Sequence, residues 1–101
     1  KHSFMYPILL NEQATLLVYV GKTEEAFAMK KNVLPYLPQI NDLEKHISVY
    51  NDLGLLYRQH QMNDSTLYYY NKALDTALQY GDESWIAHIC NNVSILYFNI
   101  S

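Results

Sequence analysis

The amino-acid sequence predicts an all-α fold of about five helices, arranged as hairpins stacked into a solenoid. Three observations carry that expectation. Apolar residues recur at the 3–4 spacing of a helix, as in Leu53, Gly54, Leu56, Tyr57 and then Leu67, Tyr70, Ala73, Leu74, Ala77, Leu78. Short polar or breaking stretches separate these stripes, the polar turn at 61–64 being the central one. The stripes also recur when the sequence is slid by 40 residues. Gly54 stands inside a stripe, where glycine costs about 1 kcal/mol relative to alanine. A glycine there is best explained by another helix passing too close for a side chain.

The elements follow in order. A first helix is expected over about 6–19, with Pro7 in its first turn, where a missing N–H costs nothing. Leu9, Leu10, Gln13, Ala14, Leu17 and Val18 give its periodicity, and Gly21 is a candidate for a left-handed closing position. Thr23 is read as the cap of a second helix, with Glu24 and Glu25 in its first turn. That helix carries Ala26, Phe27, Lys30, Val33, Leu34 and Leu37. Pro35 should kink it or loosen its end, and Pro38 marks its exit. Asn41 or Asp42 caps a third helix running through Leu43, Ile47, Tyr50, Leu53, Gly54 and Tyr57 to about His60. Asp64 or Ser65 starts a fourth, closed after Tyr80 by Gly81. Asp82 begins a fifth, which carries Trp85, Ile86, Ile89, Cys90, Val93, Leu96 and Tyr97.

With 101 residues, half of them hydrophobic, the chain suffices for one modest core and one domain, 1–101. Net charge is -3 with scattered lysines, so nucleic acid is a poor partner. The single cysteine excludes a disulfide framework and a cysteine-rich metal site. No apolar run reaches the length of a membrane span. The chain does not begin with methionine and stops just after a strongly periodic segment, which reads as a piece of a longer protein. Any targeting segment, anchor or output domain would then lie elsewhere, and the compartment stays open between cytoplasm and periplasm. Ten tyrosines are unusual for this length. A large apolar body with a polar tip suits half-buried positions between helices.

The 40-residue offset aligns Leu10, Tyr50 and Cys90, then Ala14, Gly54 and Ser94, then Leu16, Leu56 and Leu96, then Leu17, Tyr57 and Tyr97. In the even helices Ala26 meets Thr66, Lys30 meets Tyr70, and Val33 meets Ala73. A small residue in the same turn of each odd helix lets the paired helix approach closely. Units of this kind bury their apolar faces by stacking. The repeats are placed at about 7–46, 47–86 and an incomplete 87–101.

This pattern resembles the tetratricopeptide repeat. The middle repeat supplies Tyr50, Leu53, Gly54, Tyr57, Thr66, Tyr70 and Ala73. The first supplies Leu10, Ala14, Leu17, Gly21, Ala26 and Pro38; the last supplies Cys90, Val93, Ser94 and Tyr97. The period of 40 exceeds the family's usual one, Gln13 stands where leucine is expected, and Lys30 where an aromatic is expected. The long period, with its tyrosines and asparagines, is similar to repeats of regulatory proteins in the Bacteroides group. The resemblance implies a right-handed α–α superhelix whose odd helices line a concave face. It also implies a protein or peptide partner, no cofactor, and a sensory or docking role beside an output domain.

On that face a ladder runs through Asn11, Asn51 and Asn91, flanked by Glu12, Asp52 and Asn92, by Thr15, Leu55 and Ile95, and by Val18, Arg58 and Phe98. Asparagine donates and accepts, so a ladder could pair with the backbone of an extended peptide. Each asparagine could equally bond to a neighbouring helix or to water. The candidate contact residues are Asn11, Asn51, Asn91, Asp52, Arg58, Leu55 and Ile95. Arg58 is the one positive charge assigned to the groove, and the several basic residues of a peptide-terminus clamp are missing.

Enzyme motifs are weak. His2, His46, His60 and His88 form no metal-binding motif, and His88 and Cys90 face different ways. Cys90 is expected to be a buried small hydrophobe. Glu24–Glu25 and Asp82–Glu83 each begin a helix, where negative charge is favourable without catalysis. Glycosylation-type tripeptides begin at Asn63, Asn92 and Asn99, the second inside a helix. The leading expectation is therefore a binding module without bond chemistry. The alternative is a spacer or self-association domain in which the fifth helix pairs with another copy, through Trp85 and Phe98.

Overall fold

A computed structural model describes the backbone of residues 5–100 and the side chains of residues 9–99. His2 and the Ser101 end of the last tripeptide lie outside the described residues. Among these there are five α-helices and no strand: α1 (Met5–Tyr19), α2 (Thr23–Val33), α3 (Leu43–Gln59), α4 (Asn63–Tyr80) and α5 (Glu83–Ile100). A 3-10 helix, Leu34–Gln39, follows α2. The chain divides into two compact units, Lys1–Asp42 and Leu43–Ser101.

In the first unit α1 packs against α2, and Ala14, Ala26 and Val33 are fully buried. The α-helix ends at Val33, short of the expected run to Leu37, because Pro35 cannot donate to the ladder. The chain tightens into the 3-10 helix instead. Gly21, at φ 82, closes α1. Its N–H bonds to the Val18 carbonyl at 3.1 Å and the Lys22 N–H reaches back to that of Leu17 at 2.9 Å, the two bonds of a Schellman turn. Thr23 is not the cap: it is the first residue of α2, preceded by Lys22, and no side chain caps this end. Leu16 is 63% exposed although Leu56 and Leu96, its counterparts at the 40-residue offset, are buried.

In the second unit α3 and α4 form a hairpin, and α5 packs on α4 and along α3. Ile47, Ala73, Ala77 and Ile89 form its fully buried core, with Tyr50, Leu74, Trp85, Ile86 and Val93 packed around them. Each large aliphatic side chain buried this way contributes about 1.5–3 kcal/mol. Gly54 is buried against the ring of Tyr70; a Cβ added there would lie 2.5 Å from the Tyr70 ring. The close approach is thus made by an aromatic side chain of α4. In the first unit the equivalent residues are Ala14 and Lys30, both fully buried, and a lysine stem is slimmer than a tyrosine ring.

The α3–α4 turn repeats the geometry of the turn after α1. Gln61 N–H bonds to the Arg58 carbonyl at 2.9 Å and Met62 N–H to that of Tyr57 at 3.0 Å. Gln61 takes the place of Gly21 and adopts φ 60, the one positive φ among the described non-glycine residues. α4 begins at Asn63, one residue before the earliest expected start, and Met62 precedes it without a side-chain cap. Gly81 closes α4 in the left-handed conformation, at φ 85 and ψ 20. Asp82 then caps α5: its Oδ1 accepts the N–H groups of Ser84 at 2.8 Å and Trp85 at 3.3 Å. Leu78, expected on the packing stripe of α4, is 57% exposed. Cys90 is exposed and not buried, because α5 packs through Ile89, Val93 and Leu96, and Cys90 lies about 100° round the helix from Ile89.

Candidate functional site

The asparagine ladder divides into two buried members and one exposed member. In the first unit Asn11 is buried, and its Oδ1 accepts from the Lys30 ammonium at 2.7 Å. Lys30 is itself fully buried and also donates to Thr15 Oγ1 at 3.1 Å. Thr15 in turn donates to the Asn11 carbonyl at 3.0 Å. In the second unit Asn51 is buried, and its Oδ1 accepts from Asn92 Nδ2 at 3.0 Å, tying α3 to α5. Asn91 is exposed. Asn11 and Asn51 thus each spend a side-chain oxygen on a bond within their own unit.

That Asn51–Asn92 bond links α3 to α5, the two helices that carry four further candidates. Asp52, Leu55 and Arg58 are half-buried on α3, and Ile95 is exposed on α5, one turn from Asn91. Two partners of the ladder escape a reading of the sequence. The repeat pattern marks Lys30 only as a departure at an aromatic position; its placement on the helix paired with Asn11 is the available signal. Asn92 stands in the sequence as a flank of the ladder and not as the donor to it.

At the C-terminal end of this face a pocket of about 440 Å3 opens between Arg58, Gln61, Asn63, Leu96 and Asn99. Near Arg58 lies Tyr70, fully buried, with a hydroxyl that has no hydrogen-bond partner among the described residues. Burial raises its pKa above the ordinary 10.0; the Arg58 charge opposes that rise and the Asp52 charge adds to it. Elsewhere on the α3–α4 hairpin, Tyr69 stacks on Tyr57 at 5.5 Å and on Tyr50 at 6.3 Å, with the Tyr68 ring edge-on at 5.0 Å. Burial first, and then the neighbouring hydroxyls of Tyr57, Tyr68 and Tyr50, raise the Tyr69 pKa above 10.0. Lys72 lies near the faces of Tyr50 and Tyr68, at 6.0 and 5.6 Å.

Other surfaces are simpler. In the first unit an apolar groove of about 510 Å3 is lined by Gln13, Leu16, Leu17, Val20, Glu25 and Met29. In the second, Trp85 is half-buried, donates from Nε1 to Glu44 Oε2 at 3.2 Å, and meets the His88 ring edge-on at 5.8 Å. Trp85 therefore belongs to the core margin and not to an open end of α5, whereas Phe98 is 83% exposed. Among the described residues no cluster of three or more histidine, cysteine, aspartate or glutamate side chains could hold a metal ion. No helix among them is long and apolar enough to cross a membrane. Compared with known proteins, the chain matches no family model and no curated protein sequence.

Proposed function

We propose that this chain is a protein- or peptide-binding repeat module of tetratricopeptide type, a right-handed helical solenoid that serves as the docking or sensory region of a bacterial regulator. Its mechanism is stoichiometric binding, without bond chemistry. The observation that carries this reading is the side-by-side placement of α3 and α5, held by the Asn51–Asn92 hydrogen bond. Leu55 on α3 and Ile95 on α5 stand one helical turn beyond Asn51 and Asn91, and we take them as an apolar strip flanked by Asp52, Arg58 and Asn91. An apolar strip with polar and charged flanks fits an extended peptide or a helix better than it fits a small molecule. The 40-residue recurrence of helix, Schellman turn and small-residue notch supports the solenoid.

A random-peptide library selected on the full chain tests the reading. Enrichment of a peptide class by the natural chain, lost with Leu55→Asp and Ile95→Asp together, is the expected result. Equal enrichment by both chains would place binding elsewhere and sink the proposal. A second reading, self-association through α5, is favoured by Phe98 and Tyr97, which are 83% and 50% exposed. It expects sedimentation of a dimer that Phe98→Asp converts to a monomer; a monomeric natural chain rejects it.

A further inference from the structure

We propose that the outward face of α5 is a seam between two copies of this chain, an antiparallel pair of α5 helices about a two-fold axis near Ser94. The proposal rests on the self-association reading and gives it a geometry. In α3, the residues Ile47, Tyr50, Gly54 and Tyr57 face α4. Ile47 is buried in the core with Ala73 and Ala77, Gly54 takes the Tyr70 ring, and Tyr50 and Tyr57 stack on Tyr69. The 40-residue offset carries these four positions to Ala87, Cys90, Ser94 and Tyr97. All four are exposed on α5, and so is Phe98 beside them. At about 100° per residue these five fall within about 100° of one another round the helix, away from the buried Ile89 and Leu96. The face that a helix covers on α3 is thus open on α5.

A second copy fits this face because the face holds both halves of the fit. Its N-terminal half, Ala87, Cys90 and Ser94, is small, like the notch at Gly54; its C-terminal half is aromatic, Tyr97 and Phe98. An antiparallel copy lays each aromatic half on the partner's small half, much as the Tyr70 ring of α4 lies on Gly54 of α3. With the axis at Ser94, Phe98 stands opposite the partner's Cys90. Charge does not oppose the pairing. Among its 18 residues α5 has no lysine or arginine, and its one acidic residue, Glu83, lies in the first turn. Antiparallel pairing puts the two copies of Glu83 at opposite ends of the seam. Aromatic rings bring large apolar areas to such a seam, and a self-complementary patch closes as a dimer instead of growing into a filament. One helix per copy makes a seam at the small end of specific interfaces, which bury about 1,200–2,000 Å2 in total, so the dimer is weak and depends on concentration.

Sedimentation equilibrium and disulfide trapping on the full chain make the test. From micromolar to millimolar concentration the natural chain should pass from monomer to dimer, with no larger species. Ser94→Tyr fills the notch and should leave a monomer, with helical circular dichroism unchanged because Ser94 is exposed. Single cysteines placed in the Cys90→Ser chain then locate the seam. Under mild oxidation Ser94→Cys should give a disulfide-linked dimer, because at the axis the two Cα atoms come within the reach of a disulfide, about 7 Å at most. Ile95→Cys, about 100° round the helix, should not. The natural Cys90 should not cross-link either, since its two copies stand about 12 Å apart along the seam, the helical rise from Cys90 to Phe98. A chain that stays monomeric at millimolar concentration overturns the proposal and the self-association reading together. Growth beyond a dimer, a dimer that survives Ser94→Tyr, or cross-linking through Cys90 or Ile95→Cys and not through Ser94→Cys overturns this seam and leaves self-association standing.

Discussion

Gly54 and Ala14 show how one position in a repeat is set by the residue it pairs with. Tyr70 fills the space beside Gly54, whereas its counterpart Lys30 extends to reach Asn11 and Thr15. Helix propensity alone favours Gly54→Ala by about 1 kcal/mol. Overpacking against the Tyr70 ring opposes this, so the variant should lose about 1–3 kcal/mol in urea denaturation. Adding Tyr70→Leu should remove most of that loss, and a double-mutant cycle would measure the coupling. Additive effects would show that the ring does not exclude the methyl group. The small-residue notch is legible in the sequence, since a glycine costs helix stability and its place within an apolar stripe marks a close approach. What fills the notch is not legible, because an aromatic ring and a helix backbone leave the same gap. Lys30 is illegible for a related reason: burial of an ammonium depends on polar partners brought from another helix.

At the scale of the element, helix ends separate into those that side chains satisfy and those they do not. Asp82 accepts two first-turn N–H groups of α5, whereas α2 and α4 start after Lys22 and Met62 with no side-chain cap. Asp82→Ala should therefore destabilise the chain by about 1 kcal/mol, and Thr23→Ala should leave the denaturation midpoint nearly unchanged. A larger effect at Thr23 than at Asp82 would contradict this assignment. Glycines are reliable guides to helix ends here, as at Gly21 and Gly81, both left-handed. The same turn built on Gln61 carries no such signal, because only the folded hairpin requires a positive φ there. Cys90 departs from its expected burial for a different reason: periodicity identifies a stripe, but which flank of the stripe is covered depends on the neighbours of α5.

For the whole molecule, the all-helical fold is legible because the 3–4 spacing persists through every segment, and a 40-residue period repeats that signal. The site is less legible, because the same ladder of asparagines can bind a ligand or hold helices together, and burial decides between these. Whole-molecule stability should also fall at high pH. Tyr69 and Tyr70 have raised pKa values in the folded chain, against about 10.0 when unfolded. Well below pH 10 both states keep these protons and the two groups add no pH dependence. Above it the unfolded chain releases them first, so stability declines as pH rises towards the folded pKa values. Denaturation midpoints should drop above pH 10, and the drop should shrink in Tyr69→Phe and Tyr70→Phe. A pH-independent midpoint through that range would contradict the raised values.

We propose that the α3–α5 face is where this protein holds its partner. The most direct measurement is an NMR map of the full chain with a library-selected peptide. Backbone shifts should concentrate at Asp52, Leu55, Arg58, Asn91 and Ile95. Shifts concentrated instead on the groove of α1 and α2, around Leu16, Val20 and Met29, would contradict it.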